Sequence, residues 1–295
     1  MAITNAKLLT LLRAVPMARY IDGNVWRMPI EGQHVFVAAC TGGGKSSFIW
    51  ALVLGLAPAW NAALVKFWGI DPKMIELYMG RGFWDYYADN DDDSVALLEQ
   101  AVTDMHERSR HMQGISRKFT PSRETPLNLL VIDEMGYLSA YMSDDKLRKR
   151  ADKALRALLA KGRAPGYAVL GCVQDPRKEV CGYRDQFSIR IAGCMPAPMV
   201  DLVLGDGAYE AGALCDQIPM PRPDGTSGSG VAYVIDETTR KPRLVRAPWC
   251  SDETIRAVLA RYSVPTLPEA DMVKDEPLDM SGPLPAVGGW QFKIE

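Results

Sequence analysis

"HVFVAACTGGGKSS", residues 34–47, decides how this chain is read. A run of β-formers, "HVFVAAC", passes into three glycines and then into an apolar stretch of helical character, Phe48 to Trp60. A strand–glycine–helix junction aims backbone N–H groups and the positive end of a helix at an anion. Thr41, Gly42, Gly43, Gly44, Lys45, Ser46 and Ser47 are therefore candidate phosphate-binding residues. Lys45 is placed to reach the β- and γ-phosphates of a nucleotide, and Ser46 to hold magnesium. Ala39 stands where such loops usually carry their first glycine; its methyl fits the loop if its φ stays negative. The expected cofactors are ATP and Mg2+.

Working outward, "LNLLVIDEM" (127–135) is a fully buried strand type, four apolar residues in a row ending in two acids. Carboxylates there are costly unless a cation or a proton-transfer role compensates them. Asp133 is the candidate for the magnesium shell and Glu134 for the base that activates the attacking water. "YAVLGCVQDP" sets Gln174 at the end of another buried strand, where an amide can meet the γ-phosphate or the lytic water. Further strands are expected in 63–70, in "FSIRIAGC" (187–194) and in a hairpin from Gly230 with its turn at 236–241. Ser94 is read as the cap of a helix from Val95 to about Gln113; a second helix is expected over about 145–161 and a short last one after Ser251. Short apolar strands alternating with helices imply an α/β fold, a mostly parallel sheet with helices on both faces.

Composition narrows the class. The 295 residues are 47% hydrophobic with a formal net charge of -2, so no global basic field advertises a nucleic-acid partner, and any such contact must come from a local patch. Six cysteines without a C-x-x-C pair read as reduced thiols. The longest apolar run is too short to span a bilayer and is broken by Pro58, so no transmembrane segment is expected and the chain is placed in the cytoplasm. Three segments are expected: an N-terminal helical or extended piece (1–30), the α/β nucleotide-binding domain (31–262) and a flexible, Pro- and acid-rich tail (263–295). Leu8, Leu9, Leu11, Leu12 and Val15 read as one amphipathic helix packed on that domain.

Taken together, the motifs resemble the FtsK/SpoIIIE family of ring-forming DNA translocases, with the short TraSA/TraB-like conjugation proteins nearest in style. Besides the loop and the acid-bearing strand, "GIDPKMIELYMG" (69–80) is similar to the family's Asp-Pro-Lys-x-x-Glu-Leu signature, carried by Asp71, Pro72, Lys73, Glu76 and Leu77. "KGRAPGYAVLGCVQDP" and "FSIRI" resemble its later strands. The resemblance implies a RecA-like core in a homo-oligomer, a hexameric ring around double-stranded DNA with ATP between subunits. It places Arg163 where the family sends an arginine into the neighbour's site, and makes "DPRKEVCGYRDQ" a pore loop in which Arg177, Lys178 and Arg184 would touch DNA phosphates. A separate membrane or DNA-targeting partner, with peripheral recruitment to the membrane, is expected. Two alternatives stand beside this: a secretion-type ring ATPase that moves proteins, and a nucleotide-binding adaptor without turnover.

Overall fold

The computed structural model describes residues 5–177, 182–220, 228–236 and 241–262. The tail expected at 263–295, Lys178 and the tip of the 236–241 turn lie outside them. The chain opens with α1 (Asn5–Leu12) and the strands β1 (Val15–Tyr20) and β2 (Val25–Met28). The loop strand β3 (Val35–Ala38) leads into α2 (Lys45–Asn61), which is apolar almost all round and buries 13 of its 17 residues. Then follow β4 (Val65–Ile70), β5 (Tyr86–Ala88), α3 (Asp91–Met112), β6 (Leu127–Ile132), α4 (Asp145–Lys161) and β7 (Tyr167–Val173). The last elements are β8 (Ile189–Ala192), α5 (Ala197–Leu204), β9 (Val231–Asp236), β10 (Arg243–Arg246) and α6 (Asp252–Tyr262).

All ten strands form one sheet in the order β2-β1-β10-β9-β8-β3-β7-β6-β4-β5. From β8 to β5 the pairs are parallel, and β9, β10, β1 and β2 extend the sheet antiparallel. The expected α/β fold with a mostly parallel sheet is what forms. Its physical basis is plain in β6 and β7, where every residue is buried because helices cover both faces. One apolar cluster holds α1, α2 and α6 against the sheet; the other lies under α3, α4 and α5. The five described cysteines are free thiols. No helix among the described residues is long and apolar enough to cross a membrane.

Two local expectations need correction. α3 starts at Asp91, not Val95, because Asn90 is the cap: its side chain accepts the Asp93 N–H at 3.0 Å. Asp91, Asp92 and Asp93 then face the positive helix end, so the first turn is stabilised ahead of the apolar face, and Ser94 is buried inside the helix. At the N-terminus only Leu8 and Leu12 are buried on α1; Val15 already belongs to β1, whose partner β10 ties residues 15–20 into the main sheet.

Candidate functional site at the sheet edge

Parallel pairing brings the chemistry to one edge. Ala38 is level with Val173, and Ile70 with Ile132, so the residues that follow β3, β4, β6 and β7 emerge together. These are the glycine loop, Asp71, Asp133–Glu134 and Gln174. The crevice beyond the carboxyl ends of parallel strands is the general ligand position of such sheets.

Each loop glycine has its own reason. Gly42 (φ 73°) and Gly44 (φ 89°) occupy the left-handed region, and a Cβ on Gly43 would lie 2.9 Å from the Cys40 carbonyl. Ala39 is not among the positive-φ residues, so its methyl meets the condition set by the sequence. Gly44 is also the cap of α2 and offers no side chain to its N-terminus, so the first N–H groups of a buried helix face the crevice. The loop is braced from outside: Gly230 N–H donates to the Gly43 carbonyl at 3.1 Å, and the Ser229 hydroxyl to that of Gly42. A Cβ at Gly44 would overlap the Gly230 backbone. Ser47 is buried on that same flank of the loop.

Lys45 is buried, and its Nζ donates to the carbonyls of Ala39 (2.8 Å) and Cys40 (3.2 Å). Burial pulls its pKa down, with Glu134 and Asp133 among the groups that oppose the shift. Asp133 is pushed up to about 7 by burial first, then by the charges of Asp71 and Glu76, with Lys73 working against them. Lys73 pairs with Glu134 at 3.3 Å. The Asp71 carboxylate accepts the N–H groups of Leu77 (2.9 Å) and Tyr78 (3.3 Å) on one oxygen; the other, Oδ1, is fully buried without a partner. Glu76 accepts from the Ser46 hydroxyl and, at 2.8 Å, from the Trp50 indole. Thr41 donates to Gln174 at 3.3 Å.

These residues fit a nucleotide with its magnesium. A side-chain-free cradle meets a helix N-terminus, and a buried lysine stands beside it. The Asp71 Oδ1, buried without a partner, and Asp133, whose ionisation is opposed by burial, are oxygen donors of the kind a cation suits. Among the described residues no cluster of His, Cys, Asp or Glu forms a ready-made metal cage, so the cation would have to arrive with the phosphates and share Ser46.

Other expected residues lie elsewhere. Arg163 follows α4 at the opposite end of β7 and donates to the Gly32 carbonyl at 2.6 Å, away from the loop of its own chain. Arg184 is turned inward: only 15% of its side chain is exposed, because its guanidinium caps the carbonyls of Asp201 and Leu202 near the end of α5. Arg177 is 59% exposed but is gripped by the Asp175 carboxylate. On α4, Arg150 pairs with Glu99 and Arg156 with Asp152.

Comparison with known proteins bears on the loop half of this site. A protein-family model matches residues 12–118. The match is to the FtsK/SpoIIIE family. The matched segment contains the glycine loop and the Asp71–Leu77 element and stops short of Asp133 and Glu134. Among curated proteins, the chain is similar to the DNA translocase FtsK of Corynebacterium efficiens, 24% identical with 94% of this chain and 28% of the relative covered. It is also similar to FtsK of Listeria monocytogenes, 24% identical over 86% of this chain and 35% of the relative. The chain thus spans about a third or less of the length of these relatives. The fold is similar to the pCW3 conjugation coupling protein TcpA in its monomer form with ATPγS (TM-score 0.71, 16% identity, 88% of this chain and 73% of that one). It is also similar to the cytoplasmic domain of the type VII secretion ATPase EccC of Thermomonospora curvata (TM-score 0.67, 20% identity, 91% and 33%).

The sequence points to Lys45, Ser46, Asp133 and Glu134 but not to the contacts that Lys45, Ser46 and Glu134 make. The bonds of Glu76 to Ser46 and Trp50, of Lys73 to Glu134 and of residues 229–230 to the loop were missed. The Asp-Pro-Lys-x-x-Glu spacing was the available signal for the first two. Nothing in "SGSGVAYVI" announces the third.

Proposed function

We propose that the chain is an ATP- and magnesium-dependent motor of the FtsK/SpoIIIE type that moves double-stranded DNA, in transfer of a plasmid, an integrative element or phage DNA. The observation that carries the reading is the meeting, at one sheet edge, of the uncapped glycine loop with Lys45, Ser46, Asp133 and Glu134. In this reading the loop N–H groups and Lys45 hold the phosphates, while Ser46 and Asp133 hold the magnesium. Glu134 takes the proton of the attacking water once released from Lys73. Gln174, tied to Thr41, would report loss of the γ-phosphate. Magnesium, when bound, supplies charge neutralisation on the phosphate oxygens. Arg163 would act in a neighbouring protomer of a hexameric ring, which requires it to leave the Gly32 carbonyl. DNA contact falls to Arg177 and Lys178, since the capping position of Arg184 withdraws it from solvent.

The test is ATP hydrolysis with and without saturating duplex DNA. Stimulation by duplex, lost in Lys45→Ala and Glu134→Gln, supports the reading; a rate indifferent to duplex refutes the DNA cargo. A protein cargo is the second reading, favoured by the pore-type loop itself, in which Asp175 neutralises Arg177 and Arg184 is folded away. Stimulation by polypeptide and not by duplex would select it. Turnover of any kind disposes of the adaptor.

A further inference from the structure

We propose that Glu76 makes nucleotide binding conditional on magnesium: its carboxylate holds the Ser46 hydroxyl, which a divalent cation would have to take over before the phosphates of a nucleotide settle in the loop. The inference rests on the nucleotide reading above and adds a residue to it.

The geometry is built for this exchange. Ser46 and Trp50 are one helical turn apart on α2 and so share a face. Glu76 reaches that face with both oxygens, Oε2 to the Ser46 hydroxyl and Oε1 to the Trp50 indole N–H at 2.8 Å. Its backbone is fixed by Asp71, whose carboxylate gathers the N–H groups of Leu77 and Tyr78, and by a turn in which Met74 N–H donates to the Asp71 carbonyl at 2.9 Å. Glu76 is thus presented to the helix rather than straying there from solvent. A serine at this position of a phosphate loop serves a cation, and here it serves a carboxylate.

Charge completes the case. Glu76 contacts Ser46 directly, the charges of Asp71 and Glu76 both reach Asp133, and the Asp71 oxygen left over is buried and unpartnered. A bare polyphosphate reaching Ser46 meets the Glu76 carboxylate at short range, with Asp71 behind it, and one unit charge there alters affinity strongly. A cation bound with the phosphates would reverse the sign: Glu76 and Asp71 would then be attracted to the incoming complex, which would compensate the hydroxyl bond given up by Glu76. Lys73, three residues before Glu76, holds Glu134. Displacement of this one segment would therefore free the metal-binding hydroxyl and the water-activating acid together.

The experiment is equilibrium binding of fluorescent N-methylanthraniloyl-ADP to the full chain, in excess magnesium and in EDTA, for wild type, Glu76→Gln and Glu76→Asp. The ratio of the two dissociation constants is the readout. Glu76→Gln keeps the shape and loses the charge; its ratio is expected to fall about tenfold, mainly through tighter binding in EDTA. Glu76→Asp keeps the charge and is expected to stay within about threefold of wild type. An unchanged ratio in Glu76→Gln overturns the inference while leaving nucleotide binding intact. If wild type binds the nucleotide in neither condition, this inference and the nucleotide reading fall together. Should thermal unfolding show that Glu76→Gln does not fold, Trp50→Phe removes the indole tether; a lowered ratio supports the proposal and an unchanged one overturns it.

Discussion

His34, the residue that leads into the loop strand, should make the protein acid-sensitive in a window where few side chains titrate. It is fully buried; its Nδ1 accepts the Val169 N–H at 3.1 Å, and burial, with the nearby Arg163 charge adding to it, lowers its pKa from 6.5 to about 4. A base with a depressed pKa is neutral in the fold and protonated in the unfolded chain, so its contribution is full above about pH 6.5 and drains away as pH falls towards 4. That gap corresponds to about 3 kcal/mol in all, of which about 2 kcal/mol is lost between pH 7 and pH 5. Protonation at Nδ1 would also forfeit the bond from Val169. Asp133, with its pKa raised to about 7, works in the opposite sense over the same range, so the total stability of wild type is not the right quantity. The right one is the difference between wild type and His34→Asn, a neutral acceptor, measured by urea denaturation at several pH values. Wild type should lose its advantage over the variant by about 2 kcal/mol from pH 7 to pH 5. A difference that is flat across this range would refute the reasoning, because it would mean that His34 is equally protonated in both states.

Other outcomes can be checked separately. Gly44→Ala forces a Cβ into the Gly230 backbone at a left-handed φ; it should cost about 2 kcal/mol or more in chemical denaturation and abolish nucleotide binding. Arg184→Ala removes a cation from the last carbonyls around α5 and should cost about 1–2 kcal/mol, with duplex affinity unchanged; weakened DNA binding at unchanged stability would return this arginine to the DNA-contact set. Arg163→Ala should lower ATP turnover by about 10³ if it works in trans. A mixture of Arg163→Ala and Lys45→Ala subunits should then recover activity, since one subunit keeps the lysine and the other the arginine; no recovery from the mixture would deny the shared site.

How much of this was legible in the sequence depends on whether a signal is local. The strand–glycine–helix junction, the position of the acids at the end of β6 and the α4 boundaries are runs of neighbouring residues whose spacing carries the physics, and the structure has them where the sequence puts them. The start of α3 was misread because Asn90 and Ser94 are both good caps, and only the three aspartates between them, placed at the positive helix end, decide for Asn90. The antiparallel extension by β1 and β2 was invisible because its register is set by β10, more than two hundred residues away. The engagement of Ser46 by Glu76 was hidden for a related reason: each residue advertised its own chemistry, and neither advertised the other. Arg184 looked like a DNA contact from its company in the loop; its true partners are carbonyls of α5 that no side-chain pattern displays.

The methyl of Ala39 has a further consequence. It points at Gly193, the residue just past β8, where a Cβ would come within 2.7 Å of it, and it also lies about as close to Gly43 as a side chain there would permit. The unusual first position of the loop and the bare residue on the adjoining strand therefore behave as one volume shared by two addresses. Relatives that carry glycine at the first would have room for alanine at the second, and a designer who wished to restore the ordinary glycine here would do best to move the methyl across and not merely delete it.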